Sequence, residues 1–301
     1  MNDHIFNDHI FIAIPAFNEK FTHITVEDAF AKADNPHNVY IGIFNQKTNN
    51  LEFEDFSGYK NVRCVNVTYK NPLGLGLARV AAASLLEDEE YFLQLDAHTI
   101  FAKGWDTRLL GDLKELLQYC DKPLISQSLA WHREKDYFDN DQAYIKNFYG
   151  IKAYPLYREG DVKTHPDHSR ESEEKILGKF LEHYLCYGGF LFGESKFLYD
   201  ISYNPFILMD PEQEITALRA STRGYRFFSS DITPISTLGK GEHGGFTEEK
   251  YKDDIKYEFL RYDFDQTRKG WHGKRFYQGL NFGFWGAETK ELYDEYFKKI
   301  L

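Results

Sequence analysis

The sequence predicts an α/β fold: a mostly parallel sheet covered by helices on both faces. Two observations carry this expectation. Short apolar, β-branched runs alternate with amphipathic stretches through the first 127 residues, the signature of successive strand–helix units. Pro15, Gln46 and Asp96 also stand just past the ends of three such runs. Ligands of open α/β sheets bind outside the carboxyl ends of the strands, so these three residues are expected to converge on one crevice.

The elements follow in order. Residues 10–14 (IFIAI) read as a buried strand that ends at Pro15 and passes into a loop. A helix is expected over 25–32, and strands over 39–44 (VYIGIF) and 62–67. The segment 71–76 (NPLGLG) is a turn by its proline and glycines, and a helix over 77–86 follows it. Residues 91–95 (YFLQL) form a strand closed by Asp96-Ala97-His98. A helix is expected at 105–119 and a strand at 123–127. Beyond these, 187–192 reads as a strand containing Gly188 and Gly189, with helices at 211–223, 246–261 and 288–300. The charged, tyrosine-rich segment 131–175 has weak periodicity and predicts an acceptor-side excursion or lid.

Composition narrows the class. The 301 residues suffice for one large domain, with 42% hydrophobic and 17% aromatic residues arguing for a packed core. A net charge of −11 argues against a broad footprint for nucleic acid or an anionic membrane. Cys64, Cys120 and Cys186 are odd in number and unrelated in spacing, which predicts reduced thiols and a cytoplasmic protein. Residues 1–9 lack an apolar signal core, and no apolar run reaches membrane-spanning length.

The strongest local chemistry is Asp96-Ala97-His98. Residues two apart at a strand end point to the same side, so a carboxylate and an imidazole can reach one cation. That donor pair suits Mn²⁺, with Mg²⁺ as the alternative. A cation there would neutralise a diphosphate leaving group.

These residues also carry a resemblance. Residues 14–19 (IPAFNE), Thr25, residues 42–46 (GIFNQ), Gly76-Leu77-Ala78-Arg79 and residues 91–106 (YFLQLDAHTIFAKGWD) occur in order and at compatible spacing. They resemble the polypeptide α-N-acetylglucosaminyltransferases that act on hydroxyproline, serine or threonine. The match is close over roughly the first 110 residues and looser beyond. In the family's G-x-x-x-A-R block, the glycine that keeps the spacing is Gly74. The resemblance implies a single GT-A domain over 1–301, with a nucleotide-binding half (1–127) and an acceptor and donor-sugar half (128–301). It implies a UDP-sugar donor, a divalent metal and retention of anomeric configuration. Asp96 and His98 would bind metal and diphosphate. Pro15, Ala16, Phe17, Glu19 and Gln46 would line the nucleotide pocket. Arg79 would contact the diphosphate or the donor sugar, a use its planar fork suits.

The second half follows the pattern less closely. Tyr187-Gly188-Gly189-Phe190 resembles a strand presenting glycine to the donor sugar, where the missing β-carbon permits close approach. Asp210, Glu212 and Glu214 are the candidate catalytic acids that would orient the acceptor hydroxyl or stabilise developing positive charge; acids at a helix start also serve the helix dipole. The family places a third metal-ligating histidine a few residues past a proline. Here Pro234 leads to Thr237, so His243, in a glycine-rich stretch, is the candidate substitute.

The expected acceptor is a protein hydroxyl, with N-acetylglucosamine as the default sugar. The alternative is a hydroxymethylated base in viral DNA, gripped by the basic cluster 268–275 (RKGWHGKR) and the excursion at 131–175. A non-catalytic sugar- or nucleotide-binding module would bind without turnover; the intact Asp96, His98 and Arg79 favour the enzyme.

Overall fold

The computed structural model describes residues 8–48, 51–69, 73–132, 151–152, 156–157, 165–166, 176–184, 186–205, 207, 212–230 and 232–238, with four positions between 289 and 295. The first half contains β1 (Ile10–Phe17), α1 (Thr22–Lys32), β2 (Val39–Thr48), β3 (Val62–Tyr69), α2 (Leu75–Ala83) and β4 (Tyr91–Leu95). It continues with β5 (Thr99–Phe101), α3 (Trp105–Leu117), β6 (Pro123–Ser126) and β7 (Ala130–His132). Three two-residue strands follow: β8 (Ile151–Lys152), β9 (Leu156–Tyr157) and β10 (His165–Pro166). The second half supplies β11 (Phe180–His183), β12 (Phe190–Glu194), α4 (Lys196–Asp200) and α5 (Glu212–Ser221). It ends with β13 (Arg226–Ser230), β14 (Ile232–Thr233) and β15 (Ile235–Leu238).

Eight strands form one sheet in the order β11-β13-β6-β12-β4-β1-β2-β3. β4, β1, β2 and β3 are mutually parallel. β12 lies antiparallel between β4 and β6, and β13 returns parallel to β6. A second sheet of three strands, β5-β15-β7, packs the end of the molecule where β4 finishes.

The residue pattern explains this layering. On β1, Ile10, Ile12 and Ile14 enter a core with Val26 and Ala29 of α1 and Leu109 and Leu113 of α3. Phe11 and Ala13 point the other way, to Ala78 and Ala82 of α2. Alternate side chains of one strand therefore feed two apolar layers, as a sheet covered on both faces requires. Trp105 opens α3 fully buried, its indole N–H donating to Ala29 O at 2.9 Å. Burying a large apolar side chain of this kind stabilises by about 1.5–3 kcal/mol.

Three expectations are corrected. Strand β1 does not stop at Pro15: it runs on to Phe17, pairing Pro15 with Phe44 and Phe17 with Gln46. The pairing of β1 with β4 ends at Ala13. Pro15 thus sits where the strand has one hydrogen-bonded neighbour, and a missing N–H on the other side costs no ladder bond. Gln46 accordingly lies inside β2 rather than past it. The strand expected from residue 187 begins at Phe190, because Tyr187, Gly188 and Gly189 form a turn leading into it. The helices expected at 246–261 and 288–300 and the basic cluster 268–275 lie outside the described residues, apart from isolated positions of the second. So does most of the excursion at 131–175. No helix among the described residues is long and apolar enough to cross a membrane. The three cysteines form no disulfide.

Candidate active site

β4 delivers the central residue. Ile10 pairs with Tyr91 and the register advances one for one, so Asp96 leaves the sheet at the level of Pro15. Its side chain is 34% exposed. The turn after it is tied to α1. Thr25 Oγ1 donates to Ala97 O at 3.1 Å and accepts from Thr99 N at 2.9 Å. Thr99 Oγ1 donates to Asp96 O at 2.8 Å. A buried hydroxyl used in both directions fixes the backbone of the D-A-H segment, since a buried N–H left unmatched costs about 1–3 kcal/mol.

His98 lies on the same turn, 13% exposed, with Nδ1 at 3.0 Å from Glu19 Oε2. Burial pulls the imidazole pKa down. The hydrogen bond to Glu19 and the negative fields of Asp96 and Glu19 outweigh it, and the pKa stands above its ordinary value. The other Glu19 oxygen accepts Lys20 N at 2.9 Å and Phe21 N at 3.3 Å, at the start of α1. The backbone carbonyl of His98 accepts from Thr237 Oγ1 at 3.3 Å, across the β5–β15 pairing. Thr237 is the position where the resemblance leads to a histidine, and here it braces the turn through its hydroxyl.

A second element faces Asp96: the turn Tyr187-Gly188-Gly189 leading to Phe190. Ser126 Oγ clamps its ends, accepting Tyr187 N at 2.8 Å and donating to Phe190 O at 3.0 Å. Its middle carbonyl, Gly188 O, accepts from Arg79 Nη2 and from Gln94 Nε2, both at 2.6 Å. Neither glycine has room for a β-carbon unless a neighbouring side chain shifts. A β-carbon on Gly188 would lie 2.9 Å from Glu212 Oε2, and one on Gly189 would lie 2.7 Å from Asp96 Oδ2.

Arg79 joins these parts. It is 2% exposed. Besides Gly188 O, it donates to Leu95 O at 3.2 Å and Asp96 Oδ1 at 3.4 Å, and Nε stands 3.6 Å from Glu212 Oε1. The guanidinium is thus held between Asp96, Glu212 and the backbone carbonyls of Leu95 and Gly188. Glu212, also 2% exposed, begins α5 beneath the turn. Burial pushes the nearby Tyr187 and Tyr203 hydroxyls up to stay neutral; Asp96 adds to this at Tyr187 and Glu212 at Tyr203, while Arg79 opposes it at both.

The expected nucleotide-pocket residues line the ends of β1 and β2. Pro15 and Phe17 are half-buried and Ala16 is buried. Gln46 Oε1 accepts Leu73 N at 3.4 Å. Asn18 sits at φ 48°, a left-handed conformation that asparagine tolerates, and its Oδ1 accepts Thr48 N at 2.8 Å. Glu19, the fifth residue of this expected row, pairs with His98 as described above. Asp210, the side chain of Glu214 and His243 lie outside the described residues. Sequence reasoning gave Gln94 and Ser126 no role in the site and named Tyr187 only within the glycine motif. Gln94 carried a signal, as the one polar residue inside the apolar run YFLQL; Ser126 carried none.

The donor set fits a divalent cation at Asp96 and His98. A half-buried carboxylate and an imidazole come from one turn, beside a glycine whose missing β-carbon keeps Asp96 Oδ2 uncrowded. Among the described residues no third histidine, cysteine or acid joins them.

The family model for Glycosyltransferase (GlcNAc) matches residues 9–53 and 49–235. No curated protein matches the chain. Among solved structures, GalNAc-T7 with UDP, GalNAc and Mn²⁺ aligns at TM-score 0.52 and 13% identity, over 95% of this chain and 56% of that one. Staphylococcus aureus TarS aligns at 0.49 and 16%, over 87% and 44%. TarS 1-349 in complex with UDP-GlcNAc aligns at 0.48 and 16%, over 87% and 74%. The chain thus spans about half the length of GalNAc-T7, and that likeness shows the GT-A fold. Neither the family match nor the likeness to GalNAc-T7 supports a DNA acceptor. With more than half of its length matched, the chain belongs to the Glycosyltransferase (GlcNAc) family.

Proposed function

We propose that the protein is a metal-dependent, retaining glycosyltransferase that moves a sugar, N-acetylglucosamine by default, from a UDP-sugar to a protein hydroxyl. One observation carries the reading. Asp96 and His98 stand on a single braced turn at the carboxyl end of the parallel strands, directly against the Gly188–Gly189 turn. Support for the donor comes from the family and from the ligands named for GalNAc-T7. The resemblance in the first half to polypeptide α-N-acetylglucosaminyltransferases supports the acceptor.

Asp96 and His98 would bind Mn²⁺, with His243 as the third ligand. When bound, the cation supplies charge neutralisation for the departing diphosphate. The protein's own contribution is placement. Thr25 and Thr237 fix the D-A-H backbone. Arg79, Gln94 and Ser126 fix the glycine turn, whose bare α-carbons leave room for a sugar ring. Pro15, Ala16, Phe17 and Gln46 form the floor for the nucleotide. Glu212 is buried beside the turn at 2% exposure; Asp210, Glu212 and Glu214 are the candidate acids for orienting an acceptor hydroxyl.

The test is UDP release from a panel of UDP-sugars with Mn²⁺, with and without EDTA. One sugar should give metal-dependent release that Asp96→Ala removes. If no sugar is turned over and UDP fails to bind with metal, the reading falls.

A further inference from the structure

We propose that Glu19 is a positioning residue for the metal site. It fixes the ring and tautomer of His98 so that Nε2 is the ligating nitrogen, and it does not serve the nucleotide. This rests on the metal reading of Asp96 and His98 given above.

The geometry is specific. Glu19 Oε2 lies 3.0 Å from His98 Nδ1, and the carboxylate is 3% exposed. Its second oxygen is engaged by the backbone N–H groups of Lys20 and Phe21. A carboxylate anchored through one oxygen has little freedom to move the other. An acceptor at Nδ1 keeps the proton there, which leaves the ring's lone pair on Nε2, at the opposite edge. Ligating histidines are commonly oriented by such a partner, which also raises their basicity; losing it weakens metal binding by about 10–100-fold.

The surrounding turn shows the same design. Thr25, on the helix that Glu19 introduces, grips Ala97 and Thr99 on either side of His98. Side chain and backbone of the D-A-H segment are thus both oriented from the start of α1. A residue so placed answers to the metal site, although the order I-P-A-F-N-E makes it look like one of the nucleotide-pocket row.

The experiment measures Mn²⁺ affinity of the full chain without donor, from the electron paramagnetic resonance signal of free Mn²⁺. Wild type, Glu19→Gln, Glu19→Ala and Asp96→Ala are compared, with melting temperature followed in metal-free buffer. Glu19→Gln preserves shape and the N–H contacts, and should weaken Mn²⁺ by about tenfold at a near-unchanged melting temperature; Glu19→Ala should weaken it by up to about 100-fold. If Glu19→Ala fails to fold, Glu19→Gln decides. Wild-type affinity in Glu19→Gln overturns the proposal, whatever the melting temperatures. If Asp96→Ala loses Mn²⁺ while both Glu19 variants bind normally, only the role of Glu19 falls. If the wild type does not bind Mn²⁺, this proposal and the metal reading fall together.

Discussion

The α-carbon of Gly189 lies so close to the carboxylate of Asp96 that an added β-carbon would sit 2.7 Å from Oδ2. The same β-carbon would meet the Tyr187 ring at 3.0 Å. Gly189→Ala must therefore displace Asp96, Tyr187 or the turn itself. Overpacking of this kind costs about 1–3 kcal/mol. Because a shift of about 1 Å in a positioned group can cost 10²-fold in rate, metal-dependent UDP release should fall by about that factor while the protein stays folded. Release at the wild-type rate would mean that Asp96 does not need its present position.

Arg79 makes a separate prediction. Its guanidinium serves two buried carbonyls and two carboxylates at once. Arg79→Met leaves Glu212 buried without that charge, and stranding one member of a buried pair costs about 3–5 kcal/mol. Arg79→Lys keeps the charge but not the fork, and should recover only part of the loss. Urea denaturation measures both. A surface or purely phosphate-binding arginine would leave the midpoint of the metal- and donor-free protein unchanged.

Asp28 offers a pH test away from the reacting centre. Burial raises its pKa, opposed by the N–H of Phe101 at 2.7 Å and by Lys32. With the folded pKa above the unfolded one, the contribution of Asp28 is fully present below the unfolded value of about 4 and is lost as pH rises through the folded value. The amide introduced by Asp28→Asn would not titrate and could still accept from Phe101. The stability of Asp28→Asn relative to wild type should therefore grow from about pH 4 to about pH 7 in parallel denaturation curves. A difference that shrinks over that interval contradicts the burial-dominated shift.

How much of this was legible depended on which force set each feature. The strand 91–95 was found at its true boundaries because a fully buried strand must be continuously apolar, and the bracketing Asp-Ala-His ends it. Pro15 misled, since its effect depends on whether β4 still flanks β1 at that point, a tertiary fact. The glycine pair at 188 and 189 was read as a donor-facing strand. It is a turn held by Arg79, Gln94 and Ser126, partners 109, 94 and about 60 positions away, and no local pattern reveals such pairings. Glu19 was legible as part of a motif but not as the partner of a histidine 79 positions later.

The antiparallel strand β12 sits between β4 and β6, and it carries the glycine turn to Asp96. A chain that has paired only β1 to β4 already owns the Asp-Ala-His turn, yet nothing stands opposite it. The facing wall arrives after a loop of about a hundred residues has closed, a step whose entropy is spent before its contacts repay it. Completion of the site is thereby tied to one pairing of long sequence separation, the insertion of a single strand into the middle of the sheet. Turnover would report that this pairing has formed.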